Sequence, residues 1–84
     1  MKKEELKEYI ETGREIEFEY KGKWYSITYF NRNKKRDYIS FCEFYKTPVN
    51  VSNFKDLCNI KYNGTKVIDM WESLSEEDSD YDIY

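Results

Sequence analysis

Residues 14–30 read REIEFEYKGKWYSITYF, and apolar side chains occupy every second position on both sides of Lys21 and Gly22. This period of two is typical of β-strands that bury one face. A two-residue turn at Lys21 and Gly22 brings the apolar side chains of both strands to the same face, so the register is self-consistent. The segment therefore predicts a β-hairpin with two facing apolar pairs, Ile16 with Ile27 and Phe18 with Tyr25.

A third strand is predicted after a polar, basic loop with the sequence NRNKKR, residues 31–36. Residues 37–45, DYISFCEFY, continue the alternation, and pairing Tyr29 with Ile39 keeps the apolar side chains on the face used by the hairpin. The opposite face of this strand is also apolar, which is usual for a strand that is central in its sheet or covered on both sides. We therefore expect an antiparallel sheet of three to four strands.

Helical periodicity flanks these strands. Leu6 and Ile10 share one helix face, and Gly13 follows as a C-terminal cap, which predicts a first helix over residues 3–12. After Pro48, which ends the third strand, two more helices are expected with a short strand between them; their predicted N-caps are Ser52 and Thr65. The order α-β-β-β-α-β-α predicts an α+β domain with helices packed on an antiparallel sheet.

The chain of 84 residues is long enough for one compact domain and too short for a second hydrophobic core. We assign residues 1–74 to the domain and residues 75–84, SEEDSDYDIY, to an acidic C-terminal tail. Residues 1–74 hold 12 acidic and 14 basic side chains, a net charge of +2, whereas the tail holds five acidic and no basic ones. The tail therefore produces the net charge of −3.

Two conformations are open to the tail. A run of like charges is usually solvated and mobile. However, Ser75 begins a capping-box pattern, and the final YDIY alternates apolar and polar residues as a terminal strand would. A docked tail would hold its carboxylates in place.

A second acidic feature lies on the first strand, where Glu15, Glu17 and Glu19 form a ladder with ~6.6 Å between successive side chains. Charges of this kind also discourage an edge strand from pairing with other chains. The candidate partner-binding residues combine the ladder with the tail: Glu15, Glu17, Glu19, Glu76, Glu77, Asp78, Asp80 and Asp82.

The composition argues against catalysis. The chain has no His, and Cys42 and Cys58 stand 16 residues apart without further cysteines, so zinc, haem and cysteine-histidine chemistry lack their ligands or their base. We expect two buried, reduced thiols, no enzymatic activity, no cofactor and no metal site. No apolar run approaches the ~20 residues of a membrane-spanning helix, and no signal peptide is recognisable, so we expect no membrane association and a cytoplasmic location.

The basic loop supports an alternative function. Its cationic side chains lie next to aromatic strands, and this combination binds single-stranded nucleic acids. A sequence isoelectric point near 5.0 opposes this interpretation, because nucleic-acid-binding domains are usually basic. The aromatic residues would then be the core of a small sheet and the loop a solvated hairpin end. The alternative nucleic-acid contacts are Trp24, Arg32, Lys34, Lys35 and Arg36.

The pattern TGREIEFEYKGKWYSITY, followed by SFCEFY and NIKYNGTKVIDMWESL, resembles small uncharacterised proteins of low-GC Firmicutes and their prophages. The resemblance covers most of the chain and implies a bacterial host cell, without implying an activity. Together with the charge pattern, it predicts a small, acidic, non-enzymatic module that binds another protein. A sharper hypothesis is a phage-encoded inhibitor that mimics nucleic acid and blocks a host nucleic-acid-binding protein or defence nuclease.

Overall fold

The computed structural model describes residues 1–32 and 36–84, with side chains described for residues 1–30 and 37–84. In this part of the chain the elements are α1 (Lys3–Glu11), β1 (Ile16–Tyr20), β2 (Lys23–Arg32), β3 (Arg36–Glu43), β4 (Val49–Val51), α2 (Phe54–Asn59), β5 (Lys61–Tyr62), β6 (Thr65–Lys66), α3 (Val67–Glu72) and β7 (Tyr81–Ile83). Five strands form one antiparallel sheet in the order β4-β3-β2-β1-β7, and β5 and β6 form a separate hairpin. The α+β class is confirmed, and the main sheet has one strand more than the upper end of the predicted range.

The predicted register of the first three strands is confirmed. Ile16 pairs with Ile27 and Phe18 pairs with Tyr25 in the first hairpin, and Tyr29 pairs with Ile39 in the second. At the first turn, both Lys21 (φ 50°) and Gly22 (φ 80°) have left-handed backbone conformations. Positive φ at both central residues is the requirement of a type I′ turn, whose twist matches that of the strands it joins.

The strand β4 was not predicted from the sequence. We expected no further strand between Pro48 and the helix predicted to begin at Ser52, but β4 pairs with β3 through Ile39 and Val51. Three residues are too few to show a period of two, so only the pairing with β3 identifies this strand. The N-cap of α2 is accordingly Asn53, whose side-chain oxygen accepts the N–H of Asp56 at 2.8 Å, and the prediction of Ser52 was wrong.

The start of α3 also differs from the prediction. Thr65 was expected to cap this helix, but it lies in β6, opposite Tyr62 across a turn at Asn63 (φ 51°) and Gly64 (φ 85°). The hairpin continues for one more pair, because the N–H of Val67 donates to the carbonyl of Ile60 at 2.9 Å. The helix therefore begins one residue later than predicted, and its N-cap residue, Lys66, makes no side-chain capping bond.

The helices bury one face of the main sheet. Trp71 of α3 is fully buried; its ring contacts Phe18 edge to face, with 6.2 Å between centroids, and its Nε1–H donates to the carbonyl of Lys2 at 2.8 Å. The core also contains buried residues from all three helices and from the inward side of the sheet: Leu6, Ile10, Ile16, Tyr25, Ile27, Ile39, Phe41, Leu57, Val67 and Met70. The side chains described on the opposite face of the sheet are half-buried or exposed, so this face is open.

The tail is a strand of the main sheet. Tyr81 and Ile83 lie opposite Phe18 and Ile16 of β1, and both pack against the core. The preceding residues form a turn that is closed at both ends. Ser75 Oγ accepts backbone N–H groups from the turn, and the N–H of Ser75 itself donates to Ser79 Oγ at 2.9 Å. The acidic residues of the tail are therefore held by paired backbone.

Candidate functional site

The open face carries the outward side chains of five strands, and the register fixes which residues share it. Glu17 lies between Ser26 of β2 on one side and Asp82 of β7 on the other. Residues directly opposite one another in an antiparallel sheet point to the same face, so these three side chains are neighbours. The open face is acidic at β1 and β7, small and polar in its middle, and aromatic at both ends of β2 and β3.

The acidic part of the open face combines two segments from opposite ends of the chain. Glu17 pairs directly with Asp82, and the N–H of Glu19 donates to the carbonyl of Asp80 at 2.9 Å, which places Glu19 beside Asp80. We call the five carboxylates on these two strands the acidic rows: Glu15, Glu17, Glu19, Asp80 and Asp82. The sequence identified all five as candidates, but only the pairing of β7 with β1 brings them together.

The acidic rows have a charge spacing close to that of a nucleic-acid strand. In each row a carboxylate recurs every second residue, or about every 6.6 Å, and the two strands are ~4.8 Å apart. Two rows together therefore present about one negative charge per 3.3 Å of strand axis, whereas each strand of duplex DNA carries about one per 3.4 Å. The linear charge density of the acidic rows is therefore close to that of one phosphate backbone.

The negative charge of the acidic rows is not neutralised by described cations. Among the residues whose side chains are described, the ion pair within 4.0 Å is Lys7 with Glu11 on the exposed surface of α1. One carboxylate accepts a neutral donor, since the hydroxyl of Tyr84 donates to Glu17 Oε1 at 3.1 Å. This hydrogen bond and the negative charge of Glu17 raise the pKa of Tyr84 above its ordinary value of 10.0. The carboxylates of the acidic rows therefore have no ion-pair partner among the described side chains.

Three of the predicted partner-binding residues lie outside the acidic rows. Glu76, Glu77 and Asp78 are exposed in the turn that leads from α3 into β7. Their backbone is fixed by the hydroxyl of Ser75, but their side chains do not belong to the open face. They provide a matched set of carboxylates for comparison with the acidic rows.

The end of the open face near the first hairpin turn carries three aromatic side chains, which we call the aromatic corner: Trp24, Phe44 and Tyr45. The rings of Trp24 and Phe44 are 6.1 Å apart, and those of Phe44 and Tyr45 meet edge to face at 6.2 Å. Tyr45 is 99% exposed. The aromatic corner borders a shallow concavity of ≈ 530 Å³ that Glu17 and Asp82 line from the acidic side. Trp24 was a predicted contact residue, whereas Phe44 and Tyr45 were not, although extending the β2–β3 register pairs Trp24 with Phe44.

At the opposite end of the open face, Phe30 and Tyr38 stack with 5.0 Å between ring centroids. This pair stands beside the connection between β2 and β3, where the backbones of Arg32 and Arg36 pair. Lys34 and Lys35 lie outside the described residues, as do the side chains of Arg32 and Arg36. Trp24 belongs to the other end of β2, eight residues or about 26 Å from Arg32. The structure therefore separates Trp24 from the basic loop with which it was predicted to act.

The helical side of the molecule contains a groove of mixed charge. The groove, of ≈ 900 Å³ between α1 and the two later helices, is lined by four lysines, by the carboxylates of Glu4 and Asp69, and by the apolar side chains of Phe54, Cys58 and Ile68. The lysines are Lys3, Lys7, Lys55 and Lys66. Burial raises the pKa of the Cys58 thiol above its ordinary value of 9.0.

The two cysteines are unpaired and lie in different surroundings. Cys58 is buried, as predicted, whereas Cys42 is half-exposed on the open face, so the prediction of two buried thiols was wrong for Cys42. In residues 1–32 and 36–84, no three His, Cys, Asp or Glu side chains are grouped so as to hold a metal ion. Within the same residues, no helix has the length and apolarity to cross a membrane.

Comparisons with protein families, with curated proteins and with solved structures give no match for this chain. The geometry of the open face is therefore the basis for assigning a function.

Proposed function

We propose that this protein is a small, non-enzymatic binding module that presents the acidic rows to a positively charged surface on another protein. The observation that carries the proposal is the pairing of Glu17 with Asp82, which joins two acidic segments from opposite ends of the chain on one open face. Charge complementarity of this kind increases the rate of encounter and suppresses binding to wrong partners.

Protection of a sheet edge does not account for the acidic rows. Asp80 and Asp82 lie on or beside β7, which is an edge strand, and their charges there discourage pairing with other chains. Glu15, Glu17 and Glu19 belong to the neighbouring strand, whose backbone is already paired on both sides by β2 and β7. Carboxylates placed opposite other carboxylates destabilise a sheet by roughly 0.2–1 kcal/mol per pair. A binding role explains their presence on an interior strand.

The spacing of the acidic rows supports the sharper form of the proposal, in which the partner's surface normally holds a nucleic acid. A groove that binds a phosphate backbone presents Lys and Arg side chains at intervals matched to about one charge per 3.4 Å. The acidic rows offer about the same linear charge density on a rigid sheet. The module would then act in the bacterial cytoplasm as an inhibitor, encoded by a phage, of a host nucleic-acid-binding protein or defence nuclease.

The test is capture of partners from a bacterial lysate with two double variants of equal net charge. Glu17→Gln with Asp82→Asn neutralises the centre of the acidic rows, and Glu76→Gln with Glu77→Gln makes the same charge change in the turn. We expect wild-type protein and the turn variant to retain the same partner at low salt and to release it at high salt, because screening weakens exposed charge pairs. Equal retention by both variants, or binding that is indifferent to salt, would rule out the acidic rows as the contact.

A second candidate function is weak binding of single-stranded nucleic acid at the other end of the open face. The observation in its favour is the stacked pair of Phe30 and Tyr38 beside the basic loop, because aromatic rings next to cations are platforms for unstacked bases. A gel shift at low salt with single-stranded RNA and DNA tests it, and Tyr38→Ala should weaken any complex. The absence of a shift with both nucleic acids would eliminate this function.

A further inference from the structure

The aromatic corner exposes an unusual amount of aromatic surface for a domain of this size. Tyr45 is 99% exposed, and within the described residues its ring contact is the edge of Phe44. Trp24 and Phe44 are half-buried on the open face, where no helix covers them. Tyr and Trp are the residues most enriched at energetically important positions of protein interfaces. The aromatic corner therefore has the composition of a contact site.

The local backbone brings the three rings next to one another. The N–H of Phe44 donates to the carbonyl of Trp24 at 2.9 Å, so the two side chains are cross-strand neighbours on the open face. Tyr45 follows in a left-handed conformation (φ 68°) within a turn closed by the N–H of Lys46 and the carbonyl of Glu43 at 3.0 Å. Because of this turn, the ring of Tyr45 stands at 90° to the ring of Phe44.

The wall of the concavity facing the aromatic corner is negatively charged. Glu17 and Asp82 line it together with the three rings. Lys23 also lines the concavity, but it pairs with Tyr20, and this register directs its side chain towards the helical side of the sheet. The side chains that project from the open face into the concavity are therefore aromatic rings and carboxylates.

We propose that the aromatic corner binds an arginine side chain of the partner protein, with the guanidinium stacked on the aromatic rings and paired with Glu17 and Asp82. This inference rests on the proposed function and names the residue that the partner contributes. A planar guanidinium stacks on aromatic faces and pairs with carboxylates through two parallel hydrogen bonds, whereas a lysine ammonium is a compact, strongly hydrated charge. The site therefore selects arginine over lysine.

The experiment uses short peptides as probes, so it does not require the partner. Acetylated and amidated hexapeptides of arginine, lysine and citrulline are titrated into the ¹⁵N-labelled protein. Citrulline has the shape of arginine without its charge. The protein has two indole N–H signals, and the buried Trp71 serves as an internal control for Trp24, which is half-buried on the open face. We expect the arginine peptide to shift the Trp24 signal and to bind about 2- to 5-fold more tightly than the lysine peptide. The citrulline peptide should leave both signals in place.

Two substitutions of one residue separate binding from folding. Tyr45→Asn removes the ring and suits the left-handed backbone better than tyrosine does, so the fold is retained. It should weaken the arginine peptide about 2- to 5-fold and abolish the preference over lysine. Tyr45→Phe keeps the ring and should bind as the wild type does. The position of the Trp71 indole signal reports that each variant is folded.

The proposal is overturned if the arginine peptide leaves the Trp24 signal unmoved, if the arginine and lysine peptides bind equally well to the wild type, or if Tyr45→Asn keeps the wild-type preference for arginine. These outcomes are separate from the failure of the proposed function. If the aromatic corner prefers the arginine peptide but the lysate yields no partner that is released by salt, only the proposed function is contradicted. Capture through the acidic rows, without arginine selectivity at the aromatic corner, contradicts this inference alone.

Discussion

Asp82→Asn is expected to make the protein more stable while making it a poorer binder. Asp82 faces Glu17 directly across β7 and β1, and no described cation pairs with either carboxylate. Two like charges ~6 Å apart in water repel each other by about 0.7 kcal/mol. The neighbouring carboxylates of the acidic rows lie farther away and add smaller amounts. The substitution keeps the size of the side chain and removes its charge, so we expect a gain of about 0.5–1 kcal/mol in the free energy of unfolding.

Thermal unfolding followed by circular dichroism measures this gain. For a domain of this size, about 0.5–1 kcal/mol corresponds to a rise in Tm of about 2–8 °C. The gain should be largest near 0.01 M salt, where the Debye length is about 30 Å, and should nearly vanish near 1 M, where it is about 3 Å. Glu76→Gln is the matched control, because it removes one negative charge from an exposed turn without a facing carboxylate. The reasoning is refuted if Asp82→Asn does not raise Tm at low salt, if the rise persists at high salt, or if the control raises Tm equally.

Three further predictions concern the elements that position the open face. Ile83→Ala removes a half-buried anchor of β7 and should cost about 1–2 kcal/mol of the free energy of unfolding. Amide hydrogen exchange of Tyr84, whose N–H donates to the carbonyl of Glu15 at 2.8 Å, should accelerate, and unchanged exchange would show that the anchor is unimportant. Lys21→Asn introduces a residue that is preferred at the first central position of a type I′ turn, where φ is 50°. Denaturant unfolding should show a gain of about 0.5–1 kcal/mol in the free energy of unfolding, and a loss would contradict the turn assignment. Because burial raises the pKa of Cys58, the thiol stays protonated in the folded state above pH 9.0. The contribution of the protonated thiol to the free energy of unfolding is therefore complete below that pH and is lost as the pH rises through the folded pKa. Tm should therefore fall less steeply above pH 9.0 in Cys58→Ala than in wild type, and identical slopes would contradict the assignment.

The sequence predicted those parts of the fold that have a local pattern. The alternation on both sides of Lys21 and Gly22 gave the register of the first hairpin, because one residue of slippage would move every apolar side chain to the open face. The strands β4 and β6 have only three and two residues, and so no periodicity of their own. Their conformation depends on tertiary pairing, which a local pattern does not encode.

The five carboxylates of the acidic rows were predicted as candidate contacts, but their arrangement on two adjacent strands was not. Repulsion among the carboxylates of the tail favoured a solvated segment, and the apolar contacts of Tyr81 and Ile83 with the core favoured a strand. Which of these two effects prevails depends on how much apolar surface Tyr81 and Ile83 bury beside β1. The sequence does not specify this burial. Tyr45 was not predicted as a contact residue. Its ring is exposed because its backbone is left-handed, and tyrosine rarely adopts that conformation, so the sequence does not indicate it.

The most direct test of the central claim is competition between this protein and duplex DNA for a captured partner. If the acidic rows occupy a groove that otherwise holds phosphates, wild-type protein and the turn variant Glu76→Gln with Glu77→Gln should displace labelled DNA from the partner. The face variant Glu17→Gln with Asp82→Asn should fail to do so at the same concentration. Simultaneous binding of DNA and wild-type protein to the partner, or equal displacement by both variants, would contradict the account.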